Sequence, residues 1–235
     1  MNEIIEDIRH ALLQNADEKR KKSGETFFKE PVIMLGVKSA TVGKIAKEHF
    51  KKLKNKSKQE VFELCEKLWK SGFIEETFIA CNWSYAVRKE YKTEDLKVFE
   101  IWVSKYVNNW ASCDTLCNHT VGTLVEMYPF CLQDLTEWAK SQNRWKRRAA
   151  AVSLIIPARH GKFLKEIFGL ANILLSDKDD MVQKGYGWML KAASEAHQQD
   201  VFNYVMKNKS KMPRTSLRYA IEKMPEDLRK RAMEK

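Results

Sequence analysis

Apolar positions recur along this chain with the 3.6-residue period of an α-helix, and almost nowhere with the alternation of a strand. Val61, Leu64, Cys65 and Leu68 stand at i, i+3, i+4 and i+7, which predicts a helix over 60–69. Ser71-Gly72 breaks the stripe, and Ile74, Phe78, Ile79 and Trp83 resume it. Thr93, with Glu94 and Asp95 behind it, reads as the start of another helix running through Val98, Ile101, Trp102 and Lys105. Further helices are expected over 114–127, ended by Tyr128-Pro129, over 132–140, and over 144–156, ended by Pro157. Segments 163–175, 179–193, 200–207, 213–223 and 225–233 complete the pattern. Residues 16–31 mix charges and aromatics without clean periodicity. Helix pairs return roughly every 35–40 residues, the period of HEAT- or armadillo-like arrays. The expected fold is therefore all-α, a HEAT-like helical-repeat solenoid with a concave basic face, with an irregular helical bundle as the alternative. No linker or low-complexity tract interrupts it, so residues 1–235 read as one domain.

Composition supports that picture. Nine glycines and five prolines in 235 residues are too few for a turn-rich barrel or sandwich. The 44% hydrophobic content is enough to bury a core. No apolar run approaches the ~20 residues of a membrane span, and the N-terminus lacks the uninterrupted apolar stretch of a signal peptide. Five cysteines without a dense framework fit reduced thiols, hence a cytoplasmic protein. The net charge of +11 is unevenly spread. Residues 1–60 carry 14 Lys/Arg against 9 Asp/Glu, residues 61–140 carry 8 against 12, and residues 141–235 carry 20 against 10. So basic a final third points to a polyanion, most simply nucleic acid, against the plainer reading of a solubilising lysine-rich surface.

Conventional catalytic signatures are missing. There is no phosphate-binding P-loop, no dinucleotide glycine fingerprint and no G-x-S-x-G elbow, so no nucleotide cofactor is expected. Cys113, Cys117, His119 and Cys131 lack the two paired clusters of a zinc site and read as core residues; no metal is expected. Of seven tryptophans, Trp69, Trp83, Trp102 and Trp138 fall on apolar helix faces and read as core. Trp110 instead follows Asn108-Asn109 at a polar junction, with Asp114 one turn further on the same face. Trp188 follows Gly185-Tyr186-Gly187, small residues that let another chain or ligand approach closely, although core filling explains either tryptophan as well. Trp145-Lys146-Arg147-Arg148-Ala149-Ala150 places a basic run near a helix start, which suits phosphate or, more plainly, an exposed basic turn with surface ion pairs.

Three segments taken in order, Asn109 to Asp114, Trp145 to Ala150 and Lys184 to Trp188, resemble the DNA alkylation repair glycosylases of the AlkD type. The resemblance spans roughly residues 35–228 and implies a HEAT-like enzyme that excises cationic N3- or N7-alkylated purines from duplex DNA. It implies that Asp114 stabilises an oxocarbenium-like sugar, that Trp110 and Trp188 face the cationic nucleotide, and that Arg148, with Arg147, Lys146 and Lys184, holds DNA. An aromatic residue of the N-terminal helices is matched by Phe27. The chain departs from the family pattern at Ala40 and Gly43, where a proline and a basic pair are usual, and at Asn109 and Ala111. The family also contains paralogues that bind DNA with little or no excision. Two other classes therefore stand beside a monomeric glycosylase: a noncatalytic module for branched or damaged DNA, and a protein-binding scaffold.

Overall fold

The computed structural model describes residues 2–234, which form α-helices joined by short turns. Among the described residues the sole β pairing is an isolated parallel bridge between Ile33 and Phe73. The chain divides into two compact units, residues 1–116 and 117–235.

The first unit contains α1 (Asn2–Gln14), α2 (Glu18–Glu25), α3 (Ser39–Phe50), α4 (Lys58–Ser71), α5 (Ile74–Ala86), α6 (Asp95–Lys105) and α7 (Trp110–Thr115). The stripe at 61–68 is the buried face of α4, which packs on α5. Ser57 caps α4 with a reciprocal capping box: its hydroxyl accepts from Glu60 N–H, and the Glu60 carboxylate accepts from Ser57 N–H at 2.9 Å. That carboxylate also meets Lys56, and its pKa falls to about 2. α5 is the hub of the unit, touching α3, α4 and α7. Phe62, Phe99, Trp102 and Trp69 form an aromatic core with neighbouring ring centroids 5.5–6.2 Å apart. Two details differ from the sequence pattern. Thr93 is not the cap of α6; Asp95 folds the turn instead, accepting from Lys92 N–H at 2.7 Å and from Lys58 Nζ at 2.6 Å. α2 lies inside the stretch without periodicity and buries no residue of its own.

The second unit contains α8 (Gly122–Met127), α9 (Leu132–Ala139), α10 (Arg144–Val152), α11 (Ile155–Arg159), α12 (Leu164–Leu174), α13 (Asp180–Ala196), α14 (Gln198–Asn208), α15 (Arg214–Ile221) and α16 (Glu226–Met233). α13, the longest, packs against α10, α11, α12, α14 and α15. Gly187 sits where α13 and α15 almost touch: a Cβ there would lie 2.7 Å from Tyr219 Cβ and 2.8 Å from the Ser216 carbonyl oxygen. The Tyr186 hydroxyl bonds Ser216 Oγ at 2.5 Å and donates to the Leu175 carbonyl at 3.0 Å, and burial raises its pKa to about 12. Gly185 and Gly187 therefore admit the protein's own helices, rather than an outside chain. Pro157 does not end a helix either. It is the third residue of α11, in a first turn whose N–H groups lack intrahelical partners anyway, and the break falls earlier, at Ser153-Leu154. Among the described residues no helix is long and apolar enough to cross a membrane.

Candidate functional site

Trp110 opens α7 and is 36% exposed, whereas Trp69, Trp83, Trp102 and Trp138 are at most 2% exposed. Asn109 holds the helix start: its backbone is extended, and its side-chain oxygen accepts from Ser112 N–H at 2.9 Å. The fixed cap sets the direction in which residue 110 leaves the backbone. Phe28 stacks on the indole, with centroids 5.5 Å apart and planes 21° from parallel. Phe27, the aromatic expected from the sequence, is 73% exposed. The signal for Phe28 was its neighbourhood with Phe27; which of the pair turns inward depends on a helix without apolar periodicity. Asp114 lies one turn after Trp110, half-buried, on the same side of α7. From there the helix passes into a π-helical turn, Leu116–Val121, a form concentrated at functional sites.

The second set of expected residues lies on α10 and α13. Arg148 is only 5% exposed. Its guanidinium donates to the Met181 carbonyl, and its aliphatic stem lies along α13, where a Cβ on Gly185 would be 3.3 Å from Arg148 Cγ. Met181, Gly185 and Trp188 follow one another at helical spacing along α13, and Arg148 meets the first two of these positions. Trp188 is half-buried. Arg147 forms an ion pair with Asp177 at 2.6 Å and donates to the carbonyls of Ser141 and Gln142, both at 3.0 Å. Arg144 pairs with Asp179 at 2.7 Å, and Asp179 caps α13. The basic run thus stitches α10 to the turn before α13. Lys146 is half-buried, its ammonium 5.9 Å from the Trp138 ring centre, and Lys184 pairs with Asp180 at 2.8 Å on the same helix.

Among the described residues no group of three or more His, Cys, Asp or Glu side chains is placed to hold an ion. All five cysteines are buried free thiols, and burial pushes the Cys65, Cys81 and Cys131 thiols above their ordinary range.

The geometry defines an all-α protein with an exposed, stacked indole and a carboxylate one turn away on the same helix. The DNA alkylation repair enzyme family model matches residues 8–224, nearly the whole chain, and the protein belongs to that family. Among solved structures it is similar to a predicted DNA alkylation repair enzyme from Enterococcus faecalis, with a TM-score of 0.81. That match covers 90% of this chain and 98% of the other at 14% identity, a likeness of fold. No curated protein matches the sequence.

Proposed function

We propose that the protein is a DNA glycosylase that excises N3- or N7-alkylated purines from duplex DNA without a cofactor. The observation that carries it is the Trp110–Asp114 pair, an exposed indole held by Phe28 with a carboxylate one turn behind it. Alkylation at N3 or N7 makes the purine cationic and weakens its glycosidic bond, so little acid catalysis at the leaving base is needed. Positive charge develops on the sugar instead, and a fixed carboxylate stabilises it. Asp114 takes this role and orients the attacking water. The Trp110 ring faces the cationic nucleotide, contributing about 0.5–2 kcal/mol, and Trp188 offers a second aromatic face to DNA. Lys146 and Lys184 contact phosphates, while Arg147 and Arg148, buried in bonds to their own unit, keep the Trp188 helix in place for the same DNA. In the same proposal, both units are HEAT-like helix pairs of one monomeric DNA-binding chain.

Base release tests this directly. Incubated with methylated duplex DNA, the protein is expected to liberate 7-methylguanine or 3-methyladenine, resolved by chromatography. Tight, salt-sensitive DNA binding with no base released would make it a noncatalytic module for damaged DNA, and absence of DNA binding would leave the scaffold.

A further inference from the structure

Two adjacent carboxylates at the start of α5 are both 2% exposed, and they are satisfied in different ways. Glu76 meets a cation: Arg9 of α1 donates to its two oxygens at 3.1 and 3.3 Å. Glu75 has no ion pair among the described residues. Its oxygens accept from three consecutive backbone N–H groups, those of Leu35 (3.0 and 3.1 Å), Gly36 (2.9 Å) and Val37 (3.2 Å). Consecutive amides converge on one anion where a left-handed residue turns the backbone, and Gly36 supplies it with φ of +80°. A buried carboxylate is costly without such partners, so the contact is held as firmly from the Glu75 side as from the loop. Just before these segments, Ile74 N–H donates to the Ile33 carbonyl at 2.9 Å, and the bridge between Ile33 and Phe73 continues the clasp.

The clasped loop carries α2. Gly36 presses on the first turn of that helix so closely that a Cβ would lie 2.3 Å from the Asp17 carbonyl oxygen and 2.6 Å from Lys21 N. Asp17 N–H donates to the Leu35 carbonyl at 3.1 Å. The Met34 thioether rests on Gly24, within 2.9 Å of where its Cβ would be. These contacts matter because α2 has no buried face to hold it by ordinary apolar packing. Its last turn continues through Phe27 N–H to Gly24 O and Phe28 N–H to Glu25 O, and the next thing the chain meets is Trp110, on which Phe28 lies.

We propose that Glu75 is a positioning residue for Trp110: by binding the amides of Leu35, Gly36 and Val37 it fixes the loop that holds α2, and so lays Phe28 on the indole. Phe28 covers one face of Trp110 and restricts its rotation, and the ring presents a single orientation to a ligand. Loss of the Glu75 charge loosens the loop and α2, and Trp110 becomes free to turn. The effect on the ring is independent of what the protein does; the effect on excision rests on the function proposed above.

Fluorine NMR of protein labelled with 5-fluorotryptophan tests this, with the Trp110 resonance assigned by its absence in Trp110→Phe. Phe28→Leu removes the stacked ring and shifts that resonance. Glu75→Gln is expected to shift it the same way, and Glu76→Gln, which removes an equally buried charge from the same helix, is expected to leave it in place. Amide exchange supplies the second readout. In the wild type the amides of Leu35, Gly36 and Val37 should be protected, and Glu75→Gln should speed exchange there and along α2 by about tenfold or more, with α4 unchanged. Excision by Glu75→Gln should fall through kcat with KM little changed, since the ring is misdirected rather than removed. The proposal is overturned if the wild-type 35–37 amides exchange like an open loop, a result that does not require the variant to fold. It is equally overturned if folded Glu75→Gln keeps the wild-type Trp110 resonance, or if Glu76→Gln moves it as far. A wild type that releases no base defeats the glycosylase function, while NMR and exchange still decide the clasp.

Discussion

The segments 109–114 and 143–148 begin alike and serve different ends. Each opens a helix with an asparagine cap followed by a tryptophan, Asn109-Trp110 on α7 and Asn143-Trp145 on α10. On α7 the indole stays 36% exposed; on α10 Trp145 is 7% exposed and Arg144 lies over its ring. The charges divide in the same way. Asp114 stays half-buried in the first unit, whereas Arg144 and Arg147 are bound to Asp179 and Asp177, and Arg148 to a backbone carbonyl, inside the second. A cluster of positive charge in a sequence is therefore no measure of positive charge offered to a ligand. Three arginines of the most basic stretch hold helices together, and the less charged stretch keeps its chemistry at the surface.

The sharpest way to break this contrast is to crowd the tight α13–α15 contact. Gly187→Ala should destabilise the protein by about 3 kcal/mol in urea titration, because Tyr219 Cβ and the Ser216 carbonyl leave no room for a methyl group. Arg148→Ala should lower stability by about 2 kcal/mol, through the lost bond to Met181 and the lost packing of its stem. Trp110→Leu should change stability by less than about 1 kcal/mol, since a partly exposed ring is a small part of the core. Equal losses for Arg148→Ala and Trp110→Leu would erase the distinction.

DNA binding sharpens it further. Lys184→Ala and Lys146→Ala should each reduce the slope of log K against log salt by about 0.9, the solvent-exposed Lys184–Asp180 pair giving way to phosphate, and Arg147→Ala should leave it unchanged, its charge being held by the more buried Asp177. A smaller effect concerns alkaline stability. The Tyr186 phenol stays protonated to about 12 in the folded chain against 10 for the free group. An acid whose pKa is raised by folding contributes fully below pH 10, and that contribution is lost as pH climbs from 10 towards 12. Tyr186→Phe should flatten the decline in Tm across that window.

Most helices were legible because each buries a stripe that the 3.6-residue period exposes: α4, α5, α9, α12 and α13 fall within a few residues of where Val61–Leu68, Ile74–Trp83 and the later stripes put them. Among the misses, α2 has no stripe, being held by the Met34 thioether and the Gly36 backbone, and α6 begins by a side-chain turn at Asp95 rather than a cap at Thr93. Trp110 was singled out by its polar flanks, which local sequence shows. Its partner Phe28, and the Glu75 clasp behind it, join positions 82 and about 40 residues apart in the chain, and no local pattern reports such pairs. Arg147 and Arg148 were legible as charges, whereas the Asp177 carboxylate and the Met181 carbonyl that they bind lie about 30 residues away and leave no local pattern.

The central claim is that Asp114 acts on the transition state and not on DNA as such. Single-turnover release of 7-methylguanine by wild type and Asp114→Asn, measured beside affinity for undamaged duplex, tests it most directly. The expected result is a rate lower by about 10²–10³, corresponding to ~3–4 kcal/mol, with affinity unchanged or slightly increased, because a carboxylate near phosphates offers no ground-state attraction. An Asp114→Asn protein that releases the base as fast as wild type, or one whose slower release only follows weaker binding, would contradict it.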